Sequence, residues 1–421
     1  MSFKSKVTFV FLSAIVAAYV FVGGWLGTRA QQINDPGAQM RIFESVLQHI
    51  QNDYVDEPDL AKVRAGALRG LAYGLDPYSS YLTPEQVKEY LSGKNTKLVG
   101  VGAEFSQVSG YLYVISTIKG SPADRAGLKA GDIIEYIENK ATRDISLYDA
   151  RQLLLGEPGS KVRLRVLRSG SKPQTIIVER GSYKIPEAES RMEAGKIGII
   201  KVYSLEEGEA KDIRNQLQNL LKQGAEKIIL DLRGVAAGTL NEAVEVANLF
   251  IKDGTLAKVI GRENKVLKTY NADPSKHLFS GQLVVLIDIG TAGAAEVIAS
   301  AVLERSRGEV VGEKSFGAGA EQELFTLRNG DGLLLTVAKW ASGSGKPFLA
   351  DERSNSGVKP SVEVKRNDLP DSIDLESLLE QEEELQQQQT PTQTKQNQQQ
   401  QEDIQLKKAI EILQGKFATA K

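Results

Sequence analysis

Residues 283–302 read LVVLIDIGTAGAAEVIASAV. The apolar run 283–287 predicts a buried strand, and the small residues Gly290, Thr291, Ala292 and Gly293 predict a tight turn. A helix is expected over 294–305. A strand that breaks through such a turn into a helix N-terminus is where hydrolases often hold a nucleophile. This turn carries neither serine nor cysteine.

The same rhythm continues on both sides. KIGIIKVY (196–203), KIILDLR (227–233) and GLLLTVAKW (332–340) read as strands, and helices are expected over 206–223 and 239–251. Apolar strands alternating with helices argue for an α/β layer. Earlier in the chain the pattern is different. GYLYVIST (110–117) and KVRLRVLR (161–168) are short alternating runs broken by glycine, as in a small β-rich domain. Residues 31–92 read as a helical segment, with Met40, Ile42, Phe43, Val46, Leu47 and Ile50 on one face.

The whole chain narrows the chemistry. It has 421 residues, 52 basic against 54 acidic, and a net charge of −2, so no basic excess points to nucleic acid. Cysteine is absent, which removes disulfides and thiolate metal sites. Only two histidines exist, His49 and His277, too few for a three-histidine zinc site. No metal or cofactor is expected. Residues 7–27 carry no charge and follow Lys4 and Lys6. That is long enough to cross a bilayer and places the body outside the cytoplasm. A cleaved signal peptide ending near Thr28-Arg29-Ala30 is the competing reading. After about residue 370 comes a Glu- and Gln-rich tract that cannot bury enough apolar surface to order itself. A short amphipathic helix, DIQLKKAIEILQG (403–415), follows it.

Two longer stretches carry a resemblance. KGSPADRAGLKAGDIIEYIENKAT (119–142), after KLVGVGAEF (97–105), resembles a PDZ domain of the exported-protease type, here expected over 93–182. The resemblance makes Gly100, Val101 and Gly102 a carboxylate loop, beside which a peptide C-terminus adds as a strand. The stretches LDPYSSYLTPEQ (75–86), KIILDLRG, GEKSFGAGAEQ (312–322) and GVKPSVEV (357–364) resemble the C-terminal processing peptidases, or tail-specific proteases, with a core over 183–370.

That family uses a serine nucleophile and a lysine base. The resemblance puts Gly293 at the nucleophile position and Ala318 at the base position, with Gln322 as the residue that supports the lysine. It puts Ala237, Gly238 and Ala294 at the oxyanion positions, in a loop that reads Val-Ala-Ala-Gly over 235–238 instead of Asn-Pro-Gly-Gly. The expectation is therefore an exported, single-pass membrane protein with its body in the periplasm or extracytoplasmic space. Its α/β protease core carries an inserted PDZ domain, and it binds protein C-terminal tails or unfolded polypeptides without cleaving them. A homo-oligomer is left open. The alternative is an active serine-type peptidase with relocated groups drawn from Thr291, Ser300, Ser315 and Lys314. Thr291 is expected to cap its helix, Lys314 to be solvated, and Asp231 with Arg233 to be a structural pair.

Overall fold

The computed structural model describes residues 36–92, 99–366 and 402–415. The expected membrane segment at 7–27 and the Gln-rich tract lie outside the described residues. Among the described residues, no helix is long and apolar enough to cross a membrane.

The chain divides near residue 67 into two units. The smaller contains helix α1 (Pro36–Asp53). Most of its expected apolar face lies open to solvent, from Phe43 at 39% exposure to Met40 at 65%, while Ile50 is half-buried. Helix α2 (Leu60–Tyr73) spans the division. The larger unit then begins with strand β1 (Ser80–Leu82) and helix α3 (Pro84–Leu91). Thr83 and Gln86 cap α3 reciprocally, the capping-box chemistry written in Thr-Pro-Glu-Gln.

The PDZ portion is an antiparallel sheet in the order β2 (Ala103–Val108), β3 (Tyr111–Thr117), β4 (Ile133–Ile137), β6 (Lys161–Leu167), β7 (Gln174–Glu179), with the short β5 (Lys140–Ala141) beside β4. Helix α4 (Pro122–Arg125) is the expected Ser-Pro-Ala turn, capped by Ser121, and α5 (Leu147–Leu154) lies against β2.

The core is a six-stranded sheet. Its order is β17 (Val362–Glu363), β14 (Glu309–Gly312), β13 (Gln282–Ile287), β10 (Lys227–Asp231), β9 (Ile197–Lys201), β8 (Glu189–Glu193). All neighbours run parallel except β8. Successive residues point to opposite faces. Ile200, Leu230 and Val285 pack against α6 (Glu209–Lys222), α7 (Leu240–Phe250) and α8 (Ala294–Glu304). Ile199, Ile229 and Val284 meet Ala409 and Leu413 of α9 (Ile404–Leu413) on the other face. Burial on both faces is why these strands read as unbroken apolar runs. The helix expected in the tail is therefore part of the core. Arg233 bonds both oxygens of Asp403 at 2.8 Å each while also holding Asp231, so the expected structural pair anchors this helix as well. A third, antiparallel sheet joins β1, β16 (Gly332–Ser342), β11 (Thr255–Ile260) and β12 (Val266–Asn271), with β15 (Ala320–Thr326) paired to β16.

Candidate functional site

The junction from β13 to α8 is built around two buried acids. Asp288 accepts from Gly234 N at 2.9 Å and Gly290 N at 3.0 Å, which closes the turn and ties it to the loop after β10. Thr291 does not cap α8. It is fully buried, accepts from Asp288 N at 2.9 Å and donates to Leu232 O at 3.0 Å, so its hydroxyl is spent inside the turn. The correction has a plain cause: Gly293 stands at the N-cap position and Glu296 does the capping.

Gly293 adopts φ 54° and ψ −109°. That is the strained backbone of a residue that carries a nucleophile out of a turn. A Cβ there would meet nothing nearer than Trp340 Cζ3 at 3.6 Å. Gly293 itself is buried, and its N–H donates to Glu296 Oε2 at 2.8 Å. The same oxygen accepts from Ala318 N at 2.9 Å. The other oxygen accepts from Gly317 N at 2.7 Å and from the Ser315 hydroxyl. One carboxylate thus ties Gly293 to Ala318, the two positions expected to correspond to nucleophile and base. Burial, the largest influence, pushes the Glu296 carboxyl up to about 7 against the pull of its four donors.

Ala318 does not face an empty base pocket. With Ala236 and Ala292 it packs against Tyr111, Tyr113 and Ile115 of β3 and against Phe316. The rings of Tyr113 and Phe316 stack at 5.3 Å, and the Arg353 guanidinium lies 3.8 Å over Phe316 while bonding its carbonyl. Burial pushes the Tyr113 phenol up to about 12. The Ser116 hydroxyl closes the contact by donating to Gly234 O. Methyl groups and rings surround half-buried Ala318, where a lysine would need polar surroundings.

The three residues expected at the oxyanion positions differ in their surroundings. Ala294 is 1% exposed, and among the described residues its N–H meets no acceptor. A buried N–H with no acceptor is rare. Ala237 turns its carbonyl to Leu205 N at 2.9 Å. Gly238 has φ 150°, and a Cβ there would lie 2.5 Å from Leu205 Cβ. The other hydroxyls and Lys314 are engaged elsewhere. Ser300 donates to Val297 O at 3.1 Å, Ser315 serves Glu296, and Lys314 is exposed and donates to Ser354 O.

Gln322 on β15 has a buried Nε2 with no hydrogen-bond partner, and it lines a second feature, a groove of about 760 Å³. Gly100, Val101 and Gly102 line the same groove, with Leu155 and Tyr183. The carbonyls of the loop are held inward by Gly181 N, Ala123 N and Ile118 N, and its three N–H groups meet no acceptor among the described residues. Gly102 has φ 76°, and a Cβ would strike Ser121 at 2.3 Å, so glycine is required there.

Residues 196–364 match the model of Peptidase family S41, and residues 113–168 match the PDZ domain. The carboxy-terminal processing protease CtpA of Bacillus subtilis (strain 168) is 31% identical over 368 residues, 86% of this chain and 77% of that protein. The chain belongs to the C-terminal processing peptidase family. A probable CtpA-like serine protease of Staphylococcus aureus (strain MSSA476) is 30% identical over 354 residues, 83% of this chain and 69% of its own length. Among solved structures, a photosystem II D1 C-terminal processing protease superposes with a TM-score of 0.65 at 26% identity, over 80% of this chain and 90% of that one. Members of this peptidase family process protein C-termini. Sequence reasoning placed Gly293 and Ala318 in one site but missed the carboxylate that joins them. Its signal was legible, because Glu296 stands three residues after the helix cap, where a capping acid belongs. Arg353 had no signal, since only the tertiary fold brings it to Phe316.

Proposed function

We propose that the protein is an exported, membrane-tethered pseudoprotease that holds protein C-terminal tails, or partner proteins, without cleaving them. One observation carries the reading. The nucleophile and base positions, Gly293 and Ala318, have no reactive atoms, and Ala318 is packed into an apolar layer beneath β3. Where nucleophile and base act as a unit, losing either costs on the order of 10⁶ in rate. Thr291, Ser300, Ser315 and Lys314 each serve another partner, which favours this reading over relocated catalytic groups.

The binding half of the reading rests on the groove at residues 100–102, with its inward carbonyls and unengaged N–H groups. A carboxylate there would meet several backbone donors at once. The tether rests on the charge-free run 7–27 behind Lys4 and Lys6. Labelled decapeptides ending in a free carboxylate test the central pair of claims. They should bind and be recovered intact by mass spectrometry after prolonged incubation. Peptides that shorten with time, or that bind no better than their C-terminal amides, would refute the reading.

A further inference from the structure

The third sheet ends in a hairpin whose tip stands open to solvent. β12 is its edge strand, and residues 262–269 are all exposed. The tip is a two-residue turn. Glu263 (φ 57°) and Asn264 (φ 59°) are both left-handed, Lys265 N donates to Arg262 O at 3.1 Å, and Gly261 N donates to Lys265 O at 2.8 Å. Directly after the turn, Val266 and Leu267 are 46% and 54% exposed. Successive side chains of a strand face opposite ways, so both faces of the tip carry an apolar group in water.

Positive charge surrounds this pair. Lys258, Arg262, Lys265 and Lys268 against Glu263 give residues 258–270 a charge of +3, in a chain whose net charge is −2. Arg262 lies 3.7 Å from Glu263, and the Lys268 ammonium lies 4.3 Å over the Tyr270 ring. Among the described residues Lys258, Lys265 and Lys268 form no ion pair. A bare edge strand invites a second strand, but lysines along it oppose such pairing. Exposed apolar groups ringed by unpaired cations match a different occupant, a bilayer with anionic headgroups. Apolar side chains enter the boundary between headgroups and acyl chains, while lysine stems lie along it and their ammonium groups reach the phosphates.

We propose that the 258–270 hairpin rests on an anionic lipid surface, with Val266 and Leu267 inserted and Arg262, Lys265 and Lys268 on the headgroups. A tether at residues 7–27 would keep such a surface within reach, but the hairpin contact and the tether can fail separately.

The chain has no cysteine, so Thr269→Cys offers a single site for an environment-sensitive fluorophore. The labelled full-length chain is mixed with vesicles of phosphatidylcholine alone, or with roughly one third phosphatidylglycerol, and flotation is measured alongside. Emission should shift to the blue, and brominated acyl chains should quench it, only with the anionic vesicles. The same label at Ser171→Cys, in an exposed turn of the PDZ portion, should not respond. Lys265→Gln with Lys268→Gln should lower the ratio of inserted to free hairpin about 25-fold, since each cation near such a surface is worth about fivefold. Val266→Ser with Leu267→Ser should abolish the shift. No shift with either lipid, equal shifts with both, equal responses from the two labels, or a shift that survives the lysine changes overturns the proposal. A shift that grows with protein concentration in the absence of lipid overturns it too, and assigns the hairpin to a second copy of the chain. A chain that floats with both vesicles but shows no shift keeps the tether and loses the hairpin contact. A chain that floats and shifts only with anionic vesicles keeps the hairpin contact and loses the tether.

Discussion

Removing the Glu296 side chain tests whether one carboxylate holds the turn at Gly293 and the segment 315–318 together. In Glu296→Ala, the N–H groups of Gly293, Gly317 and Ala318 and the Ser315 hydroxyl all lose their acceptor. The residue is fully buried, so solvent does not replace it freely. A buried donor without a partner costs about 1–3 kcal/mol. The hydroxyl can turn elsewhere and a water can enter the hole, so the expected loss is about 4 kcal/mol. For a body of this size that lowers the melting temperature by about 5 °C at pH 8. Thermal unfolding followed by circular dichroism measures it, and limited proteolysis should show earlier cutting within 313–319. The pH dependence adds a second readout. The folded carboxyl sits at about 7, above its ordinary 4.5, so the folded state holds an extra proton between those values. That stabilisation is complete below about pH 4.5 and is lost as pH rises through about 7. The wild-type melting temperature should therefore fall from pH 5 to pH 8, and the variant should fall less. Glu209, also pushed up to about 7 by burial, keeps part of the slope in both. A variant that melts within 1 °C of the wild type and keeps its full slope would refute the clamp.

Three further outcomes are expected. Ala318→Lys puts an ammonium among Tyr113, Phe316 and Ala292 and should cost about 2–3 kcal/mol in thermal or urea unfolding, more at pH 6 than at pH 9, because the neutral amine is tolerated better. The double change Gly293→Ser with Ala318→Lys should give weak peptide release at best, and Val235→Asn, Ala236→Pro and Ala237→Gly added to it should raise the rate, since one missing oxyanion donor alone costs about 10²–10³. Asp403→Ala breaks the two bonds to Arg233 and should loosen α9, seen as faster amide exchange along Ile404–Leu413 and a loss of about 1–2 kcal/mol.

The parallel core was legible because period-two burial on both faces leaves apolar runs, and the glycines after them fall where helices stop. Gly224, for instance, follows α6 with φ 89°. The PDZ portion was legible from Ser121, Pro122 and the glycines around them, whose backbone conformations few other residues adopt. Other features were not. Thr291 looked like a cap because it precedes a helix, yet the turn is deep enough that its hydroxyl is consumed by Leu232 O and Asp288 N. The docking of α9 was hidden because a short amphipathic helix shows one apolar face whether or not a sheet lies under it. The apolar layer joining Ala318 to Tyr113 is formed by residues about 200 positions apart, and no local pattern reports such a contact.

The central claim is that this fold binds tails and leaves them whole. The direct measurement is time-resolved mass spectrometry of a labelled, unstructured substrate with a free apolar C-terminus, mixed with the wild-type chain. The account predicts a bound substrate whose mass does not change and no labelling of the protein by a serine-directed phosphonate. Cleavage that scales with the concentration of wild-type protein and disappears in Thr291→Val or Ser315→Ala would contradict it.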